Sequence, residues 1–291
     1  MGGVRPRPIS HRTATARQPR DGYVPLSWFR SRTFGPEVPF DGNRLKPSEV
    51  GTLVDYLTRY SDMREKGLSK QEADVAFESC MRGATNLERN LRYNKREFKD
   101  SPIACCKSEL AKVTYPLNNL SVKAAARVTF FDAFVNTDVR HHTRKFSNFD
   151  LSDGETARIR RMVRNGIRMM GADGGIKTFD FVIPKDPHST RITGGRGDYL
   201  TEKTLYDMKV SWSEPKVEWT LQILIYYLMG LSVGLDGFDK LKYIGIVNPR
   251  LNKTWRCSTA TLRRNKNALR KVCESVIGYD AKYTREMLKG V

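Results

Sequence analysis

Apolar positions recur at two different periods along the chain, and the change of period divides it. Val50, Leu53, Val54 and Leu57 are spaced 3, 1 and 3, which is one face of an α-helix. Gly67 breaks that pattern. Ser69 followed by Glu72 has the form of a capping box, and it predicts a second amphipathic stretch through Ala73, Ala76, Phe77 and Met81. The same signal recurs at Ser152 and Glu155, ahead of a helix whose stripe is Ile159, Met162, Val163 and Met170. The run from Val128 to Val135 fits a strand or a buried helix segment, and periodicity does not choose between them.

Beyond Gly171 the pattern becomes β-like. Thr178 to Ile183 alternates as a strand does, and a polar turn with Pro184, Asp186 and Pro187 follows. Asp198-Tyr-Leu and Thr204 to Val210 read as two further strand segments. Val217 to Met229 is a helix of large apolar residues, and Lys242 to Val247 is a compact buried strand. After a turn at Asn248-Pro249-Arg250, Thr254 to Cys257 returns as its hairpin partner. A basic helix with Arg263, Arg264, Lys266, Arg270 and Lys271 follows. No repeat at solenoid periods is visible. The expected organisation is a tail over 1–45, a mainly helical region over 46–150 and an α/β region over 151–291.

Composition sharpens this picture. The 291 residues suffice for one large domain or two small ones, and 39% hydrophobic with 29% charged residues describe a globular chain. The longest nearly apolar run, Ile223 to Leu235, has 13 residues with two glycines and a serine. A membrane-spanning helix needs roughly 20 apolar residues, so no membrane partner is expected. The N-terminus is rich in arginine and proline and shows no apolar core of a secretory signal, so the expected location is cytoplasmic. Five cysteines without a CxxC pair support neither a disulfide framework nor a structural zinc site.

Fifty-one Lys and Arg against 32 Asp and Glu leave a net charge of +19. Such a field attracts polyanions, and nucleic acid is the expected partner. Residues 1–35 carry seven arginines, one acid and four prolines. They read as a flexible basic arm that follows phosphates or as a solubilising leader. Arg161, Arg164 and Arg168, spaced 3 and 4, share one helix face and are candidate phosphate contacts. Arg196, Arg263, Arg264 and Lys266 are further candidates.

The segment richest in chemistry is Gly197-Asp198, then Asp207-Met208-Lys209, then Gln222 and Tyr226. Alternate strand residues share a face, so Asp207 and Lys209 point to one side. If the strand carrying Asp198 pairs with theirs across a turn at Thr201–Thr204, two carboxylates and an ammonium converge. Carboxylates with water and phosphate oxygens suit Mg²⁺ or Mn²⁺, and the Met208 backbone carbonyl is a possible further ligand. Lys209 could orient or deprotonate a water, or stabilise charge developing on a phosphate. Gln222 and Tyr226, four apart, share a helical face. Trp212, Trp219, Trp255, Tyr199 and Tyr227 interleave with basic residues, as base-stacking groups or as core. Glu214 and Glu218 read as a relocated acid near the site or as residues of the loop and helix start, where acids suit the N-terminal dipole.

In this order the motifs resemble the PD-(D/E)XK nuclease superfamily, and in particular its RecB-like branch, whose signature is GD, then DxK, then QxxxY. The resemblance spans about residues 150–275, with the strong motifs confined to 197–226. It implies a restriction-endonuclease-like αβββαβ core with a mixed central sheet. It further implies metal-dependent DNA phosphodiester hydrolysis, with Asp198 and Asp207 as metal ligands and Lys209 as the catalytic lysine. Gln222 and Tyr226 would flank the metal and the DNA. The branch often adds an upstream His or Glu ligand, for which Glu78 and His188 are the candidates; the adjacent pair His141-His142 reads as loop or surface. Some members carry a four-cysteine iron–sulfur cluster, and the cysteine spacing here predicts none. The functional expectation is a deoxyribonuclease of phage or host DNA processing or defence, acting alone or with a protein partner or as an oligomer. The alternatives are a non-cleaving DNA-binding module on the same fold and a basic packaging protein.

Overall fold

The computed structural model describes residues 6–39, 44–93, 101–135 and 145–290. The chain is mixed α/β and divides into two units. The first unit comprises residues 1–35, 168–248 and 252–291, and the second comprises 36–167 and 249–251.

The first unit is built on a six-stranded sheet. Its strands are β1 (Arg30–Thr33), β2 (Ile176–Ile183), β3 (Gly195–Thr201), β4 (Thr204–Met208), β5 (Tyr243–Asn248) and β6 (Lys253–Ser258), in the order β1-β6-β5-β4-β3-β2. β4 and β5 run parallel, and every other neighbouring pair is antiparallel. A parallel pair cannot be closed by a tight turn. The crossover here is the apolar helix α8 (Val217–Ser232), which packs on β4, β5 and α1 (Ile9–Thr15). β4 is buried at all five positions, as a central strand covered on both faces should be.

The second unit is helical: α2 (Pro47–Glu65), α3 (Lys70–Ala73), α4 (Glu78–Tyr93), α5 (Pro102–Ala111), α6 (Asn119–Thr129) and most of α7 (Asp153–Gly171). Both expected capping boxes form, with Glu72 accepting from the Ser69 N–H at 2.7 Å and Glu155 from the Ser152 N–H at 2.8 Å. The ambiguous run at Val128 resolves as helix: it closes α6 and continues as a 3₁₀ turn over Phe130–Phe134. Packing decides this, because Phe130 makes edge-to-face contacts with Phe131, Phe134, Phe146 and Phe149 at 5.2–5.5 Å.

Three expectations change. The N-terminal segment is not a free arm. The Ile9 N–H donates to the Gly194 carbonyl at 3.1 Å, Ile9 and Val24 are fully buried, and β1 adds an edge strand to β6. Its apolar residues are too sparse to show a period, yet its backbone finds a sheet edge. The unit boundary falls inside α7, between residues 167 and 168, and not at 150. The single basic C-terminal helix is split into α9 (Thr259–Arg264) and α10 (Lys266–Lys271), followed by a π turn (Val272–Ile277) and α11 (Ala281–Met287). The break is Asn265, whose side chain donates to the Thr261 carbonyl at 2.8 Å and competes with regular helix geometry. The pair His141-His142 lies outside the described residues. Among the described residues no helix is long and apolar enough to cross a membrane.

Candidate active site

β3 and β4 pair through Tyr199 with Tyr206 and Leu200 with Leu205. The same register, carried one step further, sets Asp198 opposite Asp207, and directly opposed residues of an antiparallel pair share a face. The Asp198 carboxylate closes the end of this ladder by accepting the Met208 backbone N–H at 2.7 Å. The Lys209 N–H donates to the Val247 carbonyl at 2.9 Å, so pairing with β5 continues past β4. Lys209 therefore keeps the strand alternation and stays on the side of Asp207. Its Nζ lies 2.7 Å from Asp207 Oδ2.

Gly197 is demanded by packing. It pairs with Phe181 on β2, and a Cβ added there would stand 2.1 Å from the Phe181 ring. The ring occupies the place of the missing side chain and brings β3 close to β2.

A hydrogen-bonded line runs from α8 into this face. Lys209 Nζ donates to Gln222 Oε1 at 3.1 Å, and Gln222 Nε2 donates to the Tyr226 hydroxyl at 2.8 Å. The Tyr226 phenol is pushed well above its ordinary range, first by burial and then by the negative charges of Asp207 and Asp198. The five residues singled out in three separate sequence segments are thus brought together by β3, β4 and α8. Asn248, not singled out from sequence, donates to the Ser211 carbonyl at 2.9 Å and holds the loop that follows Lys209.

The donor chemistry fits a hard cation. Asp198 and Asp207 carry carboxylate oxygens and Met208 a backbone carbonyl, and Mg²⁺ is commonly held by one or two carboxylates with water and substrate phosphates completing its shell. No group of three or more His, Cys, Asp or Glu side chains suited to a metal occurs among the described residues. Glu78 opens α4 in the second unit, and His188 stacks on the Tyr283 ring with centroids 3.7 Å apart.

The basic candidates scatter over different partners. Arg161 donates to the Pro36 carbonyl at 3.3 Å, Arg164 borders a cavity of about 140 Å³ with Glu65 and Tyr115, and Arg168 donates to Asn252 at 3.0 Å. Arg196 is ion-paired with Asp180 at 2.7 Å, so its charge is met locally. Lys266 reaches the Leu288 carbonyl at 3.4 Å, Arg264 donates to the Ala260 carbonyl at 3.3 Å, and Arg263 is exposed. Of the aromatics, Tyr199, Tyr227 and Trp255 are core, while Trp212 is 45% exposed and Trp219 lies under Lys216 Nζ at 5.9 Å. Glu214 pairs with Lys253 at 3.5 Å, and Glu218 sits in the first turn of α8. No family model, curated protein or solved structure matches the chain.

Proposed function

We propose that the chain is a divalent-metal-dependent DNA nuclease with a restriction-endonuclease-like core. The observation that carries this reading is the Asp198 carboxylate closing the β3–β4 ladder on the Met208 N–H, beside the Asp207–Lys209 ion pair whose lysine Gln222 anchors. The succession α7-β2-β3-β4-α8-β5 supports it, because it has the αβββαβ order that the motifs imply. So does the charge of +19, which favours encounter with a polyanion.

In this reading Asp198, Asp207 and the Met208 carbonyl hold Mg²⁺ or Mn²⁺, which when bound lowers the pKa of water and polarises the scissile phosphate. Asp207 sets the place of Lys209 through their ion pair. Gln222 Oε1 fixes the second direction of the ammonium, so Nζ has a defined position from which to orient water or offset charge on the phosphoryl oxygens. The Tyr226 hydroxyl accepts from the Gln222 amide and thereby selects the amide orientation that offers Oε1 to Lys209. Hydrolysis adds the water oxygen to phosphorus and releases the bridging oxygen, which leaves with a proton.

The test is a cleavage assay on supercoiled plasmid, linear duplex and single-stranded circle, with Mg²⁺, Mn²⁺ or EDTA and with Asp207→Asn in parallel. Products that require metal and vanish in the variant support the reading. Absence of cleavage with every metal, together with tight and salt-sensitive binding, would move the assignment to a non-cleaving DNA-binding module.

A further inference from the structure

At the edge of the first unit, away from the residues of the candidate active site in sequence and strand order, β1 and β6 enclose a second feature. Their register places Arg30 directly opposite Arg256. Like charges at opposed positions of an antiparallel pair repel and cost stability. Arg32, two residues from Arg30, shares its face of the strand, and Arg264 of α9 reaches the same place. Together they line a polar cavity of about 330 Å³. Of these four arginines only Arg256 meets a carboxylate among the described residues, pairing with Asp173 at 2.8 Å. Arg32 lies over the Phe34 ring at 4.6 Å, and Arg264 has the Ala260 carbonyl. Neither contact removes charge. Among the described residues, therefore, three guanidinium groups of the cavity have no carboxylate partner, in a space of the size that encloses a small ligand.

The remaining lining indicates what that ligand is. Trp28 and Tyr243 add aromatic surface, and Tyr243 is held in place by the Arg256 guanidinium 4.7 Å above its ring. Ser258 and Thr261 add hydroxyl groups, 2.8 Å from each other. Guanidinium forks match phosphate oxygens in pairs, hydroxyls add neutral donors, and aromatic faces suit a sugar or base. We propose that this cavity is a nucleotide-phosphate site, which takes a phosphate of a polynucleotide strand or of a free nucleotide. The inference does not depend on cleavage and stands apart from the nuclease reading.

The experiment is equilibrium binding of the full chain in EDTA, read by fluorescence anisotropy with a labelled single-stranded oligonucleotide across a salt series. Arg30→Ala/Arg32→Ala is compared with the wild type and with Lys282→Ala/Arg285→Ala, which removes equal charge from exposed positions elsewhere. Each phosphate contact contributes about 0.7 to the salt slope on a single strand. The cavity variant is expected to bind at least tenfold more weakly, with a slope smaller by roughly two such contacts, while the control variant keeps the wild-type slope. Inorganic phosphate and dAMP are then added as competitors. Competition by dAMP at millimolar concentration identifies a terminal or free nucleotide as the occupant, and competition by oligonucleotide alone identifies a phosphate within a strand. Melting in low salt separates this from a structural role. Removing Arg30 relieves a repulsion, so the variant should melt at or above the wild-type temperature. Wild-type affinity and slope in the cavity variant, or equal losses in the control, would overturn the proposal.

Discussion

Lys209 Nζ lies 2.7 Å from Asp207 Oδ2, and the Asp207 side chain is only 1% exposed. A buried carboxylate is tolerated because this ammonium, itself 23% exposed, answers its charge. The pair couples stability to the proposed chemistry. Lys209→Met should abolish cleavage, by more than 100-fold, and should lower stability by up to about 3–5 kcal/mol, the usual result of stranding one charge of a buried pair. Millimolar Mg²⁺ should then raise the melting temperature of the variant more than that of the wild type, because a cation bound to the folded state replaces the missing charge. A thermal melt with and without Mg²⁺ measures this directly, and equal shifts in both proteins would remove the cation from Asp207.

Gly197 faces Phe181 with no room for a methyl group. Gly197→Ala should destabilise the first unit by about 1–3 kcal/mol through overpacking. Phe181→Leu should restore part of that loss, and the double-mutant cycle in urea should give a coupling of about 0.5 kcal/mol or more. An additive cycle would mean that the glycine serves some purpose other than accepting the ring.

The Tyr226 hydroxyl is an acceptor for Gln222 and holds its proton far into alkali. Tyr226→Phe removes one hydrogen bond, worth about 1 kcal/mol, so activity should fall roughly fivefold through loosened positioning of Lys209. The pH–rate profile between pH 6 and 9 should keep its shape, since the phenol does not ionise there. A limb of the profile that disappears with the hydroxyl would instead make Tyr226 a proton donor.

Alkaline pH should unfold the protein early. Burial pushes the thiols of Cys106, Cys257 and Cys273 up from 9.0 to about 12. Below pH 9 these thiols are protonated in both folded and unfolded chains, and stability is complete. Above pH 9 only the unfolded chain ionises, so stability falls until the folded thiols ionise near pH 12. Each group contributes about 1.4 kcal/mol per pH unit at most within that window. Urea denaturation at pH 7 to 11 should show the decline, and replacing the three cysteines by alanine should reduce it, leaving the part that comes from buried Cys80 and the buried tyrosines, whose protons burial also holds.

Much of the α/β half was legible because β4, β5 and α8 are continuous apolar runs, and because the polar Asp207 and Lys209 keep strand spacing. The capping boxes at Ser69 and Ser152 were legible for a similar reason: a cap is a local hydrogen bond between residues three apart. The Val128 run stayed ambiguous because a mostly buried segment with few polar residues shows too little of a polar face to reveal its period, and only the Phe130 cluster decides it. The fate of residues 6–35 was hidden for the opposite reason. Strand β1 is held through backbone hydrogen bonds to β6, and backbone groups leave no trace in residue type. Within the site, sequence alone singled out the side chains that the proposed chemistry uses and determined that Asp207 and Lys209 share a side. The bond from the Met208 N–H to Asp198 and the facing of Arg30 with Arg256 were decided only by strand register, and the anchoring of Lys209 by Gln222 by the packing of α8 on β4. Register is a property of how distant segments pair, and no single segment contains it.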